Sequence, residues 1–232
     1  MIISGLQKMT LLDYPGKVAC TVFLQGCNFR CPFCHNSGLL GAAQDETIPV
    51  EELLAFLRKR AGILDGVCIT GGEPTLQQDL PQLLRQIKAL GYHIKLDTNG
   101  SNPMMLKALA EENLIDYVAM DIKNCPARYA QTVGLSQFPA AIEESIAFLL
   151  GGEIDYEFRT TVVEEFHNAE NILAMGQWLA QLGRPKKLFL QPYVDRDSVL
   201  KQGLHSPDAE KLRRFQATLA PYVEFVDIRG LD

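Results

Sequence analysis

The 232-residue sequence lacks the features that mark membrane, secreted or nucleic-acid-binding proteins. No apolar run reaches the length of a transmembrane helix, and no charged segment followed by a long apolar core stands at the amino terminus. Lys and Arg number 22 against 28 Asp and Glu, for a net charge of −6, and they form no basic block. We therefore expect no signal peptide, no nucleic-acid partner and no membrane partner.

Cysteine is also scarce, with six in the chain, but three of the six are clustered. A clustered trio without an export signal, in a chain of this length, favours a reducing cytoplasm over a disulfide framework. The other three, Cys20, Cys68 and Cys125, are scattered, and we expect them to be buried thiols. The overall composition, 47% hydrophobic and 22% charged, is that of an ordinary globular protein.

The clustered cysteines, Cys27, Cys31 and Cys34, have the spacing C-x3-C-x2-C. Three close thiolates can bind three corners of a [4Fe–4S] cluster and leave the fourth iron open to a substrate. One alternative is a buried helical stripe, because the spacing also fits one helix face, but Pro32 disfavours a helix there. The other is structural zinc, which normally takes four ligands, and His35 directly after Cys34 makes joint tetrahedral coordination awkward.

Short apolar strands alternate with amphipathic helices along the chain. The strand candidates are Val18–Leu24, Gly66–Thr70, His93–Asp97, Tyr117–Ile122, Tyr156–Val163, Lys187–Gln191 and Val223–Arg229. The helix candidates are Val50–Arg60, Gln78–Leu90, Pro103–Glu112, Phe138–Leu150, Ala169–Leu182 and Pro207–Ala220. This alternation predicts parallel βαβ units, and about six units are fewer than the eight of a full barrel. We therefore predict an α/β fold, an open, partial (β/α)6 barrel, as a single domain over residues 1–232.

Glycine-rich and polar motifs follow the predicted strands, at the carboxyl ends where parallel α/β folds place their active sites. The second strand runs into Gly71-Gly72-Glu73-Pro74, where the glycines let the backbone approach a ligand and Glu73 adds a carboxylate. Alone, this motif could be only a turn. The third strand ends at Asp97-Thr98-Asn99-Gly100, which could bind ribose hydroxyls, a carboxylate or a cation, or could be a capping turn.

Charged residues follow on the next two strands. Asp121 and Lys123 are two positions apart and so project to one face of a strand. They could form a structural ion pair, or they could line a pocket beside Asp97. Arg159 lies in an apolar strand candidate, where its charge needs a partner, and we expect a ligand carboxylate or Asp121 in that position.

With these motifs the sequence resembles the radical S-adenosylmethionine (radical SAM) enzymes. The residues that carry the resemblance are Cys27, Cys31, Phe33 and Cys34, followed by Gly71-Gly72-Glu73-Pro74. A narrower resemblance, to the glycyl-radical-enzyme activases, is carried by Asp13-Tyr14-Pro15-Gly16, Phe23-Leu24-Gln25-Gly26-Cys27, Cys34-His35-Asn36, Asp97-Thr98-Asn99-Gly100 and Asp121-Ile122-Lys123. Among the activases, the chain looks most like the activating proteins of anaerobic ribonucleoside-triphosphate reductase.

The resemblance implies a [4Fe–4S] cluster held by Cys27, Cys31 and Cys34, with SAM bound at the open iron. It implies SAM contacts for Phe33, His35, Gly71, Gly72, Glu73, Asp97, Asn99, Asp121, Lys123 and Arg159. Related activases also hold a monovalent cation, and the matching ligands here are Asp97, Thr98, Asp121 and the Ala119 carbonyl. Val194 stands near the implied adenine position, where its side chain can pack but cannot form a hydrogen bond. Between Cys34 and Gly71 only Cys68 occurs, so we expect one cluster.

The resemblance also implies a reaction and partners. Reductive cleavage of SAM would give methionine and a 5′-deoxyadenosyl radical, which takes a hydrogen atom from a glycine of a glycyl radical enzyme. The implied partners are anaerobic ribonucleotide reductase and a low-potential electron donor such as flavodoxin or ferredoxin. The alternatives are an activase of a pyruvate formate-lyase-like enzyme, a radical SAM enzyme acting on a small molecule, and a cluster protein that only transfers electrons.

Overall fold

The computed structural model describes residues 1–41 and 47–231, and its centre is one eight-stranded sheet. The strands are β1 Ile3–Thr10, β2 Ala19–Leu24, β3 Gly66–Gly71, β4 His93–Thr98, β5 Tyr117–Asp121, β6 Asp155–Val162, β7 Lys187–Pro192 and β8 Phe225–Ile228. They neighbour one another in chain order; β1 is antiparallel to β2, and all later pairs are parallel. In the described part of the chain no ladder joins β1 to β8, so the barrel is open.

Helices connect the parallel strands and cover the sheet. They are α1 Val50–Lys59, α2 Leu80–Ala89, α3 Pro103–Glu111, α4 Pro126–Val133, α5 Ala141–Leu150, α6 Ala169–Gly183 and α7 Ala209–Leu219. Their apolar faces are buried; Leu53, Leu54 and Leu57 of α1 are typical. Local chemistry defines the ends: the Asn102 side chain caps α3 by accepting from the Met105 N–H, and Gly134, with φ of 71°, ends α4. Within the described residues, no helix combines the length and apolarity that crossing a bilayer requires.

The predicted α/β architecture is confirmed: six strands, β2 to β7, are each followed by a helical connection to the next parallel strand. Among the strands and α-helices of the described residues, two were not predicted, the antiparallel strand β1 and the short helix α4. The helix predicted from Phe138 begins only at Ala141, and the strand predicted from Val18 begins at Ala19. The single-domain assignment stays a prediction.

Candidate active site

A cavity of about 410 Å³ lies at the carboxyl ends of the parallel strands. This volume is within the range of small-molecule and cofactor sites. Of the predicted ligand and cofactor residues, only Glu73 and Ala119 do not line it; those that do are Cys27, Cys31, Phe33, Cys34, His35, Gly71, Gly72, Asp97, Thr98, Asn99, Asp121, Lys123 and Arg159. The structure therefore gathers residues that are up to 132 positions apart in sequence, because neighbouring parallel strands end at one edge of the sheet.

The three clustered cysteines lie on a loop after β2, and residues 27–34 of this loop form no helix, which excludes the helical-stripe alternative. Cys31 is buried, and burial raises the pKa of its thiol to about 12 although Lys123 acts in the opposite direction. Arg30 supports the loop by donating to the carbonyls of Cys27 at 2.6 Å and Phe29 at 2.8 Å. The remaining cysteines, Cys20, Cys68 and Cys125, are free and buried, as predicted.

The donor set of this loop fits a cluster better than a single ion. Across residues 1–41 and 47–231, no three His, Cys, Asp or Glu side chains are arranged to hold one metal ion, which disfavours the zinc alternative. In a [4Fe–4S] cluster each thiolate binds a different iron, so the three sulfurs need not converge on one point. Cys27, Cys31 and Cys34 face one cavity, which leaves space on their open side for a cluster and a ligand.

The two glycines after β3 allow this loop to approach the cysteine loop closely. Gly71 has φ of 119°, and a Cβ there would overlap the Leu24 backbone. A Cβ at Gly72 would overlap the carbonyl oxygen of Gly26, which also accepts a 2.7 Å hydrogen bond from the Glu73 N–H. The glycines therefore fix the position of the residue that precedes Cys27.

The carboxylate of Glu73, which we expected to be available to a ligand, points away from the cavity. It is 1% exposed and accepts hydrogen bonds from Thr75 N at 3.1 Å, Thr75 Oγ1 at 2.5 Å, Thr98 Oγ1 at 2.7 Å and Asn99 N at 2.6 Å. Burial raises its pKa, although these donors lower it in part. Its side chain therefore joins the β3 and β4 loops, and only its backbone is left for the SAM contact that the resemblance implies.

Asn99 in turn holds the cysteine loop. Its Nδ2 donates to Asn28 Oδ1 at 3.0 Å and lies 3.8 Å from the sulfur of Cys27. Asn28 Nδ2 donates to Ser101 Oγ at 2.9 Å. Sequence reasoning missed Asn28 and Ser101, although Asn28 lies inside the cysteine motif and Ser101 directly follows the Asp97–Gly100 motif.

Arg159 lies between two carboxylates. Its Nε donates to Asp121 Oδ1 at 3.0 Å and its Nη1 to Asp97 Oδ2 at 3.2 Å, so Asp121 is the expected partner and Asp97 a second one. Lys123 Nζ donates to Asp121 Oδ2 at 2.8 Å, and Lys95, missed by sequence reasoning, pairs with Asp97 Oδ1. Burial raises the pKa of both carboxyls, but the neighbouring cations outweigh it; the pKa of Asp97 is lowered and that of Asp121 falls to about 2.

These pairs bear on two expectations. The ion pair between Asp121 and Lys123 is present, and both residues also line the cavity, so the two interpretations are compatible. The carboxylates assigned by resemblance to a monovalent cation already contact cationic side chains, and the Thr98 hydroxyl donates to Glu73. A cation at this position stays a prediction.

The loop between β7 and α7, residues 193–208, covers the outer side of the cysteine segment. The ring of His35 stacks on Tyr193 at 5.6 Å between centroids, and its Nε2 lies 2.7 Å from the carbonyl oxygen of Val194. Ser198 Oγ donates to His35 O at 2.9 Å, and Lys201 N donates to Pro32 O at 2.9 Å. Val194 thus contributes its carbonyl to this contact while its side chain is half exposed.

The site agrees with what comparison with known proteins finds. Residues 21–173 match the Radical SAM superfamily, and the chain belongs to that superfamily. Membership implies an enzyme that uses a [4Fe–4S] cluster and SAM, and the three cysteines and the adjoining cavity suit both.

Two relatives and one solved structure illustrate the similarity. A protein of Methanocaldococcus jannaschii, provisionally named a glycyl-radical enzyme activating enzyme, is 30% identical over 100% of this chain and 97% of its own length. The 7-carboxy-7-deazaguanine synthase of Hyperthermus butylicus is 27% identical over 90% of this chain and 83% of its own. A domain of pyruvate-formate lyase-activating enzyme from Bacteroides vulgatus shares the fold, with a TM-score of 0.56 and 22% identity over 71% of this chain and 99% of that domain.

Proposed function

We propose that the protein is an activase that installs a glycyl radical on a partner enzyme, and that the partner is anaerobic ribonucleoside-triphosphate reductase. The observation that carries the activase proposal is the full-length similarity to the M. jannaschii protein, joined to a cavity that holds every implied cluster ligand. The choice of the reductase rests on the overall resemblance of the sequence to the activating proteins of that reductase.

The chain's own residues have separate tasks in this proposal. Cys27, Cys31 and Cys34 hold the cluster, while Lys123 and Arg159 bind the methionine end of SAM. Bound there, the cluster and SAM would supply the radical chemistry that takes a hydrogen atom from glycine, given one electron from a low-potential donor such as flavodoxin or ferredoxin. The gap between β1 and β8 leaves a side of the barrel through which a loop of the partner can enter.

Electron paramagnetic resonance tests the proposal. Anaerobically reconstituted protein, SAM, a reductant and anaerobic ribonucleotide reductase are expected to produce the doublet of a glycyl radical. A reductase whose radical-site glycine is replaced by alanine must stay silent. Cys31→Ala must abolish the signal, and Cys125→Ala, which changes a buried thiol outside the cavity, must retain it.

Two other outcomes reassign the protein. A doublet with a pyruvate formate-lyase-like enzyme but not with the reductase would move the activase to that partner. The relative that makes 7-carboxy-7-deazaguanine favours a second candidate, an enzyme that acts on a small molecule. Turnover of a small molecule, with no radical on any glycyl radical enzyme, would overturn the activase proposal.

A further inference from the structure

A buried lysine stands behind the wall of the cavity. Lys95 on β4 is 1% exposed and is not itself part of the cavity lining. It lies two positions before Asp97 and so shares its face of the strand. Its ammonium pairs with Asp97 Oδ1 and lies 3.8 Å from the thiol of Cys68. An ammonium in this position is strongly disfavoured unless it is paired, so the contact with Asp97 is what keeps Lys95 charged there.

Lys95 is the inner end of a chain of alternating charges. The chain runs Lys95, Asp97, Arg159, Asp121, Lys123. Each carboxylate gives one oxygen to each of its two cationic neighbours, and Arg159 uses separate nitrogens for the two carboxylates. Three cations therefore face two carboxylates, which leaves one surplus positive charge beside the cavity. We call these five residues the charged chain.

The nearest further ion pair does not cancel this surplus. Glu157, two positions before Arg159 on β6, binds Arg229 through two hydrogen bonds of 2.7 Å and accepts a third from Tyr117. This pair is balanced within itself. Asp97, Asp121, Lys123 and Arg159 line the cavity, whereas Lys95 lies behind it and compensates Asp97 from the protein side. Lys123 and Arg159 are therefore only partly compensated by carboxylates on the side that faces a bound ligand. The other two charged residues of the lining, Asp13 and Arg196, have opposite charges and leave this balance unchanged.

We infer that Lys95 is a positioning residue for the carboxylate of SAM. Because Lys95 holds Asp97 Oδ1, the guanidinium of Arg159 stays shared between Asp97 and Asp121. The remaining N–H groups of Arg159 are then available to the SAM carboxylate. Without Lys95, Oδ1 of Asp97 would keep only the weak contact from the Cys68 thiol at 3.7 Å. Both oxygens could then accept from the planar fork of Arg159, which favours two parallel bonds to one carboxylate. The guanidinium would turn away from Asp121, and the surplus positive charge would be lost. This inference concerns SAM alone and does not depend on which molecule receives the radical.

Two ligands that differ only at the carboxylate test this role. Dissociation constants for SAM and for decarboxylated SAM are measured on reconstituted, oxidised protein without reductant, so that neither ligand is cleaved. Lys95→Met is expected to weaken SAM binding about tenfold or more, the size of one charge-assisted contact. Binding of decarboxylated SAM should change by less than about twofold, because it lacks the group that the surplus charge attracts. Iron analysis ensures that both proteins carry the same cluster content.

Two further variants separate positioning from packing. Lys88→Met removes a lysine paired with Asp116 at the start of β4, away from Asp97, so it changes the net charge equally and should leave both affinities unchanged. The double variant Lys95→Met, Asp97→Asn removes one cation and one carboxylate and restores the surplus. It should bind SAM at least about threefold more tightly than Lys95→Met, and it avoids an unpaired buried carboxylate if that single variant folds poorly.

The inference is overturned by any of three results. The first is unchanged SAM binding by Lys95→Met. The second is an equal weakening of both ligands, which would mean a purely structural role. The third is a double variant that binds SAM no better than the single one. None of these results bears on radical transfer to a partner, which the resonance experiment tests separately.

Discussion

The backbone N–H of Asn99 donates a 2.6 Å hydrogen bond to the buried carboxylate of Glu73. This contact ties the end of β4 to the end of β3, and Asn99 extends the connection to the cysteine loop through Asn28. Glu73 does not line the cavity, yet its carboxylate fixes the relative positions of the β3 and β4 loops, which do.

Replacing Glu73 by Gln should therefore destabilise the protein. The Glu73 carboxylate accepts all four of its hydrogen bonds. A Gln side chain would instead direct its own N–H groups at some of these donor groups. We expect a loss of about 2 kcal/mol in the free energy of unfolding, measured with urea on the apoprotein. Exposed Glu153→Gln is the matched control and should change stability by less than about 0.5 kcal/mol. Equal stability of the two variants would contradict the role assigned to Glu73.

Gly72→Ala should displace the cysteine loop. The added methyl group would overlap the backbone of Gly26, which cannot move without moving Cys27. We expect reduced iron uptake on anaerobic reconstitution and lower thermal stability. Gly41→Ala adds the same methyl group at a position where no atom of the described residues, chain neighbours apart, lies within 4 Å, and it should behave as the wild type. Normal iron uptake by Gly72→Ala would show that the two loops can separate without harm.

Cys31→Ala should prevent assembly of a stable cluster, because only two thiols of the motif would remain. Reconstituted wild-type protein should contain about four iron and four sulfide, the stoichiometry of the cluster. Cys125→Ala should keep this content, since Cys125 is buried at the start of α4 outside the cavity. Loss of the cluster in Cys125→Ala would refute the ligand assignment.

Asp121→Ala should weaken SAM binding while the cluster still assembles. Without Asp121, Lys123 and Arg159 lose the carboxylate that holds them at the cavity, and this loss of position outweighs the gain in surplus positive charge. We expect about a tenfold increase in the dissociation constant, the size of one charge-assisted contact. Equilibrium binding to the reconstituted variant measures it, with iron content as the control. An unchanged affinity would reduce these residues to a structural ion pair.

The same carboxylate should make stability depend on pH in the acid range. Burial raises the pKa of Asp121, but Arg159 and Lys123 outweigh it and lower the pKa from 3.8 to about 2. Because the folded-state pKa is lower, the stabilisation is present above pH 3.8 and is lost as the pH falls towards 2. Urea unfolding of the apoprotein should show a loss of about 1 kcal/mol from this group by pH 3. Asp121→Asn should lack that component; an identical acid profile would contradict it.

The parallel strands were predictable because β-branched and apolar residues form short runs between helices with clear apolar faces. Strand β1 was missed because Ile3–Thr10 contains Gly5 and three consecutive exposed positions, and it depends on pairing with β2. Helix α4 is short and was missed too, although Pro126 at its start and Gly134 after its end are boundary signals that could have found it.

That the site residues lie close together was also predictable, since the carboxyl ends of parallel strands share one edge of a sheet. The direction in which each side chain points could not be predicted. The sequence does not reveal that the Glu73 carboxylate turns inward, because that depends on donors from the next strand's loop. Nor does it reveal Lys95, whose partner Asp97 already had an assigned role.

The loop of residues 193–208, which covers the cysteine segment, is synthesised much later than the cysteines themselves. Val194, which lies against His35, is 159 positions further along the chain, and Lys201, which holds Pro32, is further still. During synthesis the thiols of the motif leave the ribosome long before their cover exists. They therefore stay open to iron donors, and to oxidants, until β7 and the loop after it have been translated and have folded back.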